Sequence, residues 1–466
     1  MFNEEKLQRH LVKYPHEQVS YSAAPYLSRR RFFEIAGAGV GASYLASPAF
    51  GQSGGARVTT RNTAKNCIFV LMSGAPSHVD TFDAKIGPAT PASLKAETVN
   101  GVLWPNGVMP KLGAQLNKIA IVRSMRAWAL VHSLGQTWTQ IGRNPAAALG
   151  DVSPNMGTVV ASEKDRERTA SQVFPSFLAL NSNGAIGPGY FPATYAPFKV
   201  TPAATGLPNT SNTDGKTRSD ARLRFLRSID DTLRAPSPLG KPVEDYDKFY
   251  AAANGMMFNP VVDTAFRFST ADSQRYGVNN VANGFGNACL IAKQVLAANQ
   301  GTRFIQISVG GWDMHNDIYG TGGTATNILT LGNTFDAGMS ALLTDLESAG
   351  LLRETLVVMV GEFGRTVGAL SGSGGRDHYL QHFAAFAGAG VKGGKIVGAT
   401  NATGSATTSF GWNQDRDHRP EDVVATVYSA MGIDWTKQLD TPFGRTFEYV
   451  PEAAHGIYLP MDELWT

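Results

Sequence analysis

Five short apolar runs, at residues 68–72, 119–122, 304–309, 355–360 and 383–386, constrain this chain more than any other feature. They are close to continuously apolar, where a strand with one wet face would alternate apolar with polar. Strands buried on both faces need helices above and below them, and the intervening sequence supplies helical patterns. The clearest precedes residue 355, where Phe335, Met339, Leu342, Leu343 and Leu346 fall at helical spacing. The expected fold class is α/β: three layers, α/β/α, around a mostly parallel sheet.

The chain of 466 residues shows no internal repeat and no clean linker, so residues 52–466 are expected to form one domain. Residues 183–216 are rich in Gly, Pro, Ser, Thr and Asn, and 217–300 carry helical patterning without obvious strands. The stretch 183–300 is therefore expected to be a loop-rich and helical insertion capping one edge of the sheet.

The N-terminus carries Arg29 and Arg30 inside Ser28-Arg29-Arg30-Arg31-Phe32-Phe33, followed by a short apolar run of small residues and then Ala49 and Gly51. Paired arginines before a short apolar segment and a small-residue cleavage site make residues 1–51 a twin-arginine signal peptide. The run is too short and too rich in Gly and Ala to span a bilayer comfortably. A periplasmic or secreted location follows, with the twin-arginine translocase as partner during export. No later stretch is apolar enough to cross a membrane, so the mature protein is expected not to be membrane-spanning. The signal segment holds six Lys/Arg and four Glu of the chain's 41 basic and 38 acidic residues, leaving a net charge of +1. That balance excludes the basic surface that nucleic-acid binding requires. The two cysteines, Cys67 and Cys289, sit in a strand-like and a helical pattern; buried free thiols are the plain expectation, and one disulfide is an alternative.

Titratable residues gather just past the apolar runs. His78 and Asp80 follow the first, Asp313 and His315 the third, and Glu362 and Arg365 the fourth; Arg376, Asp377 and His378 precede the fifth, with His382 four residues further on. In an open parallel sheet, ligands bind outside the carboxyl ends of the strands. Segments delivering Asp, Glu and His to one crevice would form a ligand set for a divalent metal, Zn, Mn, Fe or Ca. Taken singly, each residue has a plainer use: Asp313 as a helix cap, Asp377–His378 as a surface ion pair, Glu362–Arg365 as a salt bridge, and Asp80 in a turn. His418 is expected to be a solvated loop residue, and His455 has no partner nearby in sequence.

Several of these segments are similar to the motifs of the domain-of-unknown-function 1501 family: 74–83 (GAPSHVDTFD), 311–315 (GWDMH), 361–366 (GEFGRT) and 375–378 (GRDH). So are 388–394, 397–400 and the tail from Pro420 through Asp434, and the resemblance runs from about residue 60 to the end. It implies twin-arginine export and the sheet-and-helix core of the alkaline phosphatase and sulfatase superfamily, built around one or two metals. In that resemblance Glu362 and Phe363 stand where sulfatases place a metal-binding Asp-His pair. The stretch from His132 to Gly142-Arg143 resembles the sulfatase segment that begins at the nucleophile, so His132 occupies a position where Cys, Ser or Thr is expected. Ser73 and Gly74 replace the Asp that usually ends the first strand.

Two functions follow. The first is a metal-dependent hydrolase of an anionic phosphate or sulfate ester, with a polysaccharide among its substrates. His78, Asp80, Asp313, His315, Glu362, Asp377 and His378 would be its metal ligands. Arg365, with Arg376, would grip the anion; His132 or water would attack, with Ser77 and Ser133 as the remaining hydroxyls. The second is a non-catalytic periplasmic binding or assembly protein on a degenerate phosphatase or sulfatase fold.

Overall fold

The apolar runs become strands of one sheet. The computed structural model describes residues 58–147, 150, 152–182, 184–234, 241–278, 284–441 and 444–466; residues 1–51, with Arg29 and Arg30, lie outside them. In chain order the sheet strands are β1 (Asn66–Met72), β2 (Ile119–Arg126), β3 (Phe177–Leu180), β4 (Phe198–Val200), β5 (Phe304–Val309), β6 (Thr355–Val360), β7 (Gln381–Ala387) and β8 (Ile396–Val397). The helices of nine or more residues are α1 (His132–Ile141), α2 (Met156–Lys164), α3 (Gly215–Arg234), α4 (Lys241–Met256), α5 (Phe285–Ala298), α6 (Ile328–Ser348) and α7 (Pro420–Ala430).

Across the sheet the order is β8–β2–β7–β6–β1–β5–β3–β4. All neighbours pair parallel except β7, which runs against both β2 and β6. The reversal has a physical cause. A parallel return to the sheet needs a crossover, usually a helix. The chain between β6 and β7 holds only loops and a two-stranded bridge (Gly364–Arg365 against His378–Tyr379), so it turns back at the same end of the sheet. That connection leaves residues 361–380 standing over the carboxyl end of β6.

Every residue of β1 is buried, because helices cover both faces. On one face Ile68, Val70 and Met72 join α5 and α6 in a core with Phe285, Phe335 and Leu342; on the other Cys67, Phe69 and Leu71 join α2 and α7. Cys67 and Cys289 are buried free thiols in these two separate cores. Within 183–300, β4 extends the sheet edge, α5 is core, and α3 and α4 lie between them in sequence.

Candidate metal centre

Four side chains meet at the carboxyl edge of the sheet: His132, Asp313, His315 and His378, each offering a donor atom within 4.8 Å of the others. His132 opens α1, just after β2. Asp313 and His315 follow β5 in an irregular segment with a tight turn at Asp313, closed by the Met314 amide donating to the Trp312 carbonyl; Trp312 and Met314 are buried there, and Asp313 and His315 keep partial exposure. Trp312 anchors that segment by an edge-on contact with Phe335. The end of β1 lies hard against it: Gly74 has φ +105°, and a Cβ there would fall 2.6 Å from the Asp313 amide nitrogen. His378 is held opposite Arg365 in the two-stranded bridge.

The three imidazoles crowd around one carboxylate oxygen. Asp313 Oδ1 lies 3.1 Å from His132 Nε2, 2.9 Å from His315 Nε2 and 3.8 Å from His378 Nε2. The Nε2 atoms of His315 and His378 are 3.0 Å apart. Donors at about 2.0–2.1 Å around a tetrahedral ion stand roughly 3.3 Å from one another, so this spacing suits a shared ion.

Proton positions lead to the same conclusion. His378 Nδ1 sits 2.7 Å from the Leu130 carbonyl oxygen, so it donates there and a neutral ring presents a lone pair at Nε2. His315 Nε2 is approached by the Arg365 Nη1 donor at 3.2 Å, so it too presents a lone pair. Two lone pairs 3.0 Å apart beside a carboxylate call for a shared proton or cation. His132 Nδ1 meets Glu362 Oε1 at 2.7 Å. A histidine whose far nitrogen donates to a carboxylate or carbonyl is the usual arrangement behind a metal ligand.

Electrostatics tighten the group. Burial works against charge on His132, but its bonds to Asp313 and Glu362 outweigh this and push its pKa up to about 9. Partial burial likewise opposes ionisation of Asp313, yet the bonds from His132 and Arg365, with the Arg365 charge beside it, hold it well below the usual carboxylate range. Burial, with Arg365 next, lowers His315.

The remaining sequence-derived candidates surround this group or lie apart from it. Glu362 is fully buried and accepts from His132, from the Gly74 amide and from Gln136, so it fixes the His132 ring from behind. Asp377 Oδ1 is 3.7 Å from His315 Nδ1 and accepts from the His378 amide. Arg365 spends all five N–H donors on protein acceptors: the carbonyls of Gly74, Ala75 and Arg376, the Asp313 carboxylate and His315. It therefore locks Asp313 in place and keeps none for a bound anion. His78 and Asp80 lie elsewhere. His78 is buried, with Nε2 2.8 Å from the Gly404 carbonyl oxygen; Asp80 pairs with Arg376 at 2.8 Å and accepts from Tyr319 and Ser77. That leaves Ser77 buried, while Ser133 is exposed beside His132.

Two expectations about single histidines are corrected. His418 is fully buried against Trp412, because residues 416–419 pack beside β2 instead of entering solvent. His455, expected to have no partner nearby, is exposed and pairs with Glu452 three residues before it. His382 lies in β7. Sequence reasoning missed Gln136, the Gly74 amide and the Leu130 carbonyl. The last two are backbone groups, to which residue type gives no clue.

No functionally curated protein matches this chain. Distant solved structures do. A sulfatase, PsFucS1 from Pseudoalteromonas sp., is 11% identical over 79% of this chain and 68% of its own, with a TM-score of 0.38. The lipoteichoic acid synthase LtaP from Listeria monocytogenes is 12% identical over 85% and 78%, with a TM-score of 0.36. The zinc complex of the C-terminal periplasmic domain of EcEptC from Escherichia coli is 9% identical over 89% and 97%, at 0.38. The family described as "Protein of unknown function (DUF1501)" matches residues 64–457, a span that takes in all eight strands of the sheet and all four residues of the His/Asp cluster, and the chain belongs to that family.

Proposed function

We propose that this chain is an exported, metal-dependent hydrolase of a phosphate or sulfate ester, with His132, Asp313, His315 and His378 holding one divalent cation. The convergence of three imidazole nitrogens on one Asp313 oxygen carries this reading. A donor set rich in nitrogen suits Zn, Mn or Fe, and fits poorly with Ca²⁺, which takes six to eight oxygens. Such an ion would act as a Lewis acid on an ester oxygen and acidify a water at its open side. The chain's own residues prepare the site. Glu362 and Leu130 fix the rings of His132 and His378, Arg365 pins Asp313, and the partial exposure of Asp313 and His315 leaves one side open to a substrate. Arg29 and Arg30 support twin-arginine export to the periplasm or beyond, and among the described residues no helix is long and apolar enough to cross a membrane.

The test begins with elemental analysis of the purified protein. One equivalent of Zn, Mn or Fe, lost in Asp313→Ala and His378→Ala, is expected; a folded protein that binds none of these ions overturns the reading. Chromogenic phosphate mono- and diesters and sulfate esters then test turnover. A non-catalytic binding or assembly role is the second reading, favoured by Arg365 having no donor to spare and by the burial of Ser77. Bound metal without turnover on any ester would select it. Lysine at both Arg29 and Arg30 should leave the protein in the cytoplasm.

A further inference from the structure

Helix α3 (Gly215–Arg234) stands mostly in water over its described part: no side chain of residues 216–229 is buried. Helices in globular proteins draw most of their stability from burying an apolar face, and this one leaves its apolar face in water. Phe225 is 68% exposed, Leu226 41% and Ile229 51%, and Phe249 of α4 is 46% exposed. Phe225, Leu226 and Ile229 share one side of the helix by their spacing. Lys216, Arg224 and Arg227 lie on the other, while Arg218 and Arg222 fall on the apolar side, one to two turns toward the N-terminus, where their long side chains can reach a surrounding polar layer. The whole helix, residues 215–234, holds six basic residues and three acids, Asp220, Asp230 and Asp231, a net charge of +3; Asp220 pairs with Lys216 at 2.7 Å, and Asp214, just before the helix, pairs with Arg222.

We propose that α3 lies in the plane of an anionic phospholipid surface, inserting Phe225 and Leu226 among the acyl chains while its arginines meet lipid phosphates. Phenylalanine and leucine on one side of a helix and Lys/Arg on the other is the pattern of an interfacial helix. Two other occupants fit less well. A second copy of this chain docking the same patch would bring two helices of net positive charge together, a like-charge approach. An acidic polysaccharide would neutralise the arginines but leave Phe225 and Leu226 wet. The helix adsorbs to one leaflet, and its attachment is independent of the metal centre.

Sedimentation of the full chain with vesicles of phosphatidylglycerol, and separately of phosphatidylcholine, tests this. Binding to the anionic vesicles is expected, weakening with salt and much lower on the neutral ones. Arg224→Glu with Arg227→Glu should reduce it by at least about fivefold per arginine. Phe225→Ser with Leu226→Ser should reduce it even at low salt. All four positions are exposed, so unchanged circular dichroism and metal content would certify the fold. The proposal is overturned if neither vesicle is bound, or if both double variants bind like the parent, which would assign membrane attachment to another segment. A dimer in light scattering that dissociates in the Phe225→Ser, Leu226→Ser variant would overturn it in favour of self-association.

Discussion

His132 faces a carboxylate through each ring nitrogen, so without metal the ring holds its proton until pH reaches about 9. The sign follows from the unfolded reference near 6.5. The raised pKa contributes stability in full below about pH 6.5, and that stability is lost as pH rises through 9. An incoming cation must displace the same proton. Metal affinity of the stripped protein is therefore expected to rise roughly tenfold per pH unit up to about 9 and then flatten. Calorimetric titrations in buffers of different ionisation enthalpy would show one proton released per metal at pH 7.5, and a pH-independent affinity would refute the assignment. Glu362 acts one bond further out. Replacing it with Ala should weaken metal binding about 10- to 100-fold, as loss of a supporting carboxylate does elsewhere. Glu362→Gln, which keeps an oxygen facing His132 Nδ1, should lose less. Equal losses would mean that charge, and not orientation, is what Glu362 supplies.

The elements bring these residues together through connections whose direction is not encoded in hydrophobic pattern. The runs at 68–72, 304–309 and 355–360 were legible as strands because burial on both faces leaves a nearly continuous apolar signature. β3, β4 and β8 were not, since strands of four, three and two residues give too short a run. Nor could sequence show that β7 runs antiparallel, because period and composition are the same in either direction. The strand-end rule located Asp313, His315, Glu362 and His378 correctly as neighbours. It also drew in His78 and Asp80, which leave the same edge but turn down into a 3-10 turn and are buried there. Asp80 and Arg376 instead form a buried clamp between the loop after β1 and the loop before β7. Breaking one side of such a pair strands a charge, so Arg376→Met should cost about 3–5 kcal/mol in urea unfolding. Asp80→Asn combined with Arg376→Met should recover part of that. If the single replacement proved neutral, the clamp would not be holding these loops together.

At the scale of the whole molecule, the cluster draws on three places far apart in the chain, residue 132, residues 313 and 315, and residue 378, which follow β2, follow β5 and precede β7. In the sheet those strands are separated by β6 and β1, so an ion shared by them would bridge much of its carboxyl edge. The unfolded chain brings no such set together, so binding of the proposed metal would be thermodynamically linked to folding. Free metal at 100 times its dissociation constant should therefore add about 2.7 kcal/mol to stability. Chelation should lower the thermal midpoint, and Zn²⁺ or Mn²⁺ should restore it with a dependence on metal concentration. His378→Ala supplies the internal control. His378 is only partly buried, so its loss should leave the fold intact while removing the response to chelator. A midpoint that fell equally on chelation in the parent and in His378→Ala would place the stabilising ion elsewhere. A midpoint unmoved by chelator in the parent would mean that the edge of the sheet is held by the protons and arginine already there, with His132 charged and Arg365 bound to Asp313.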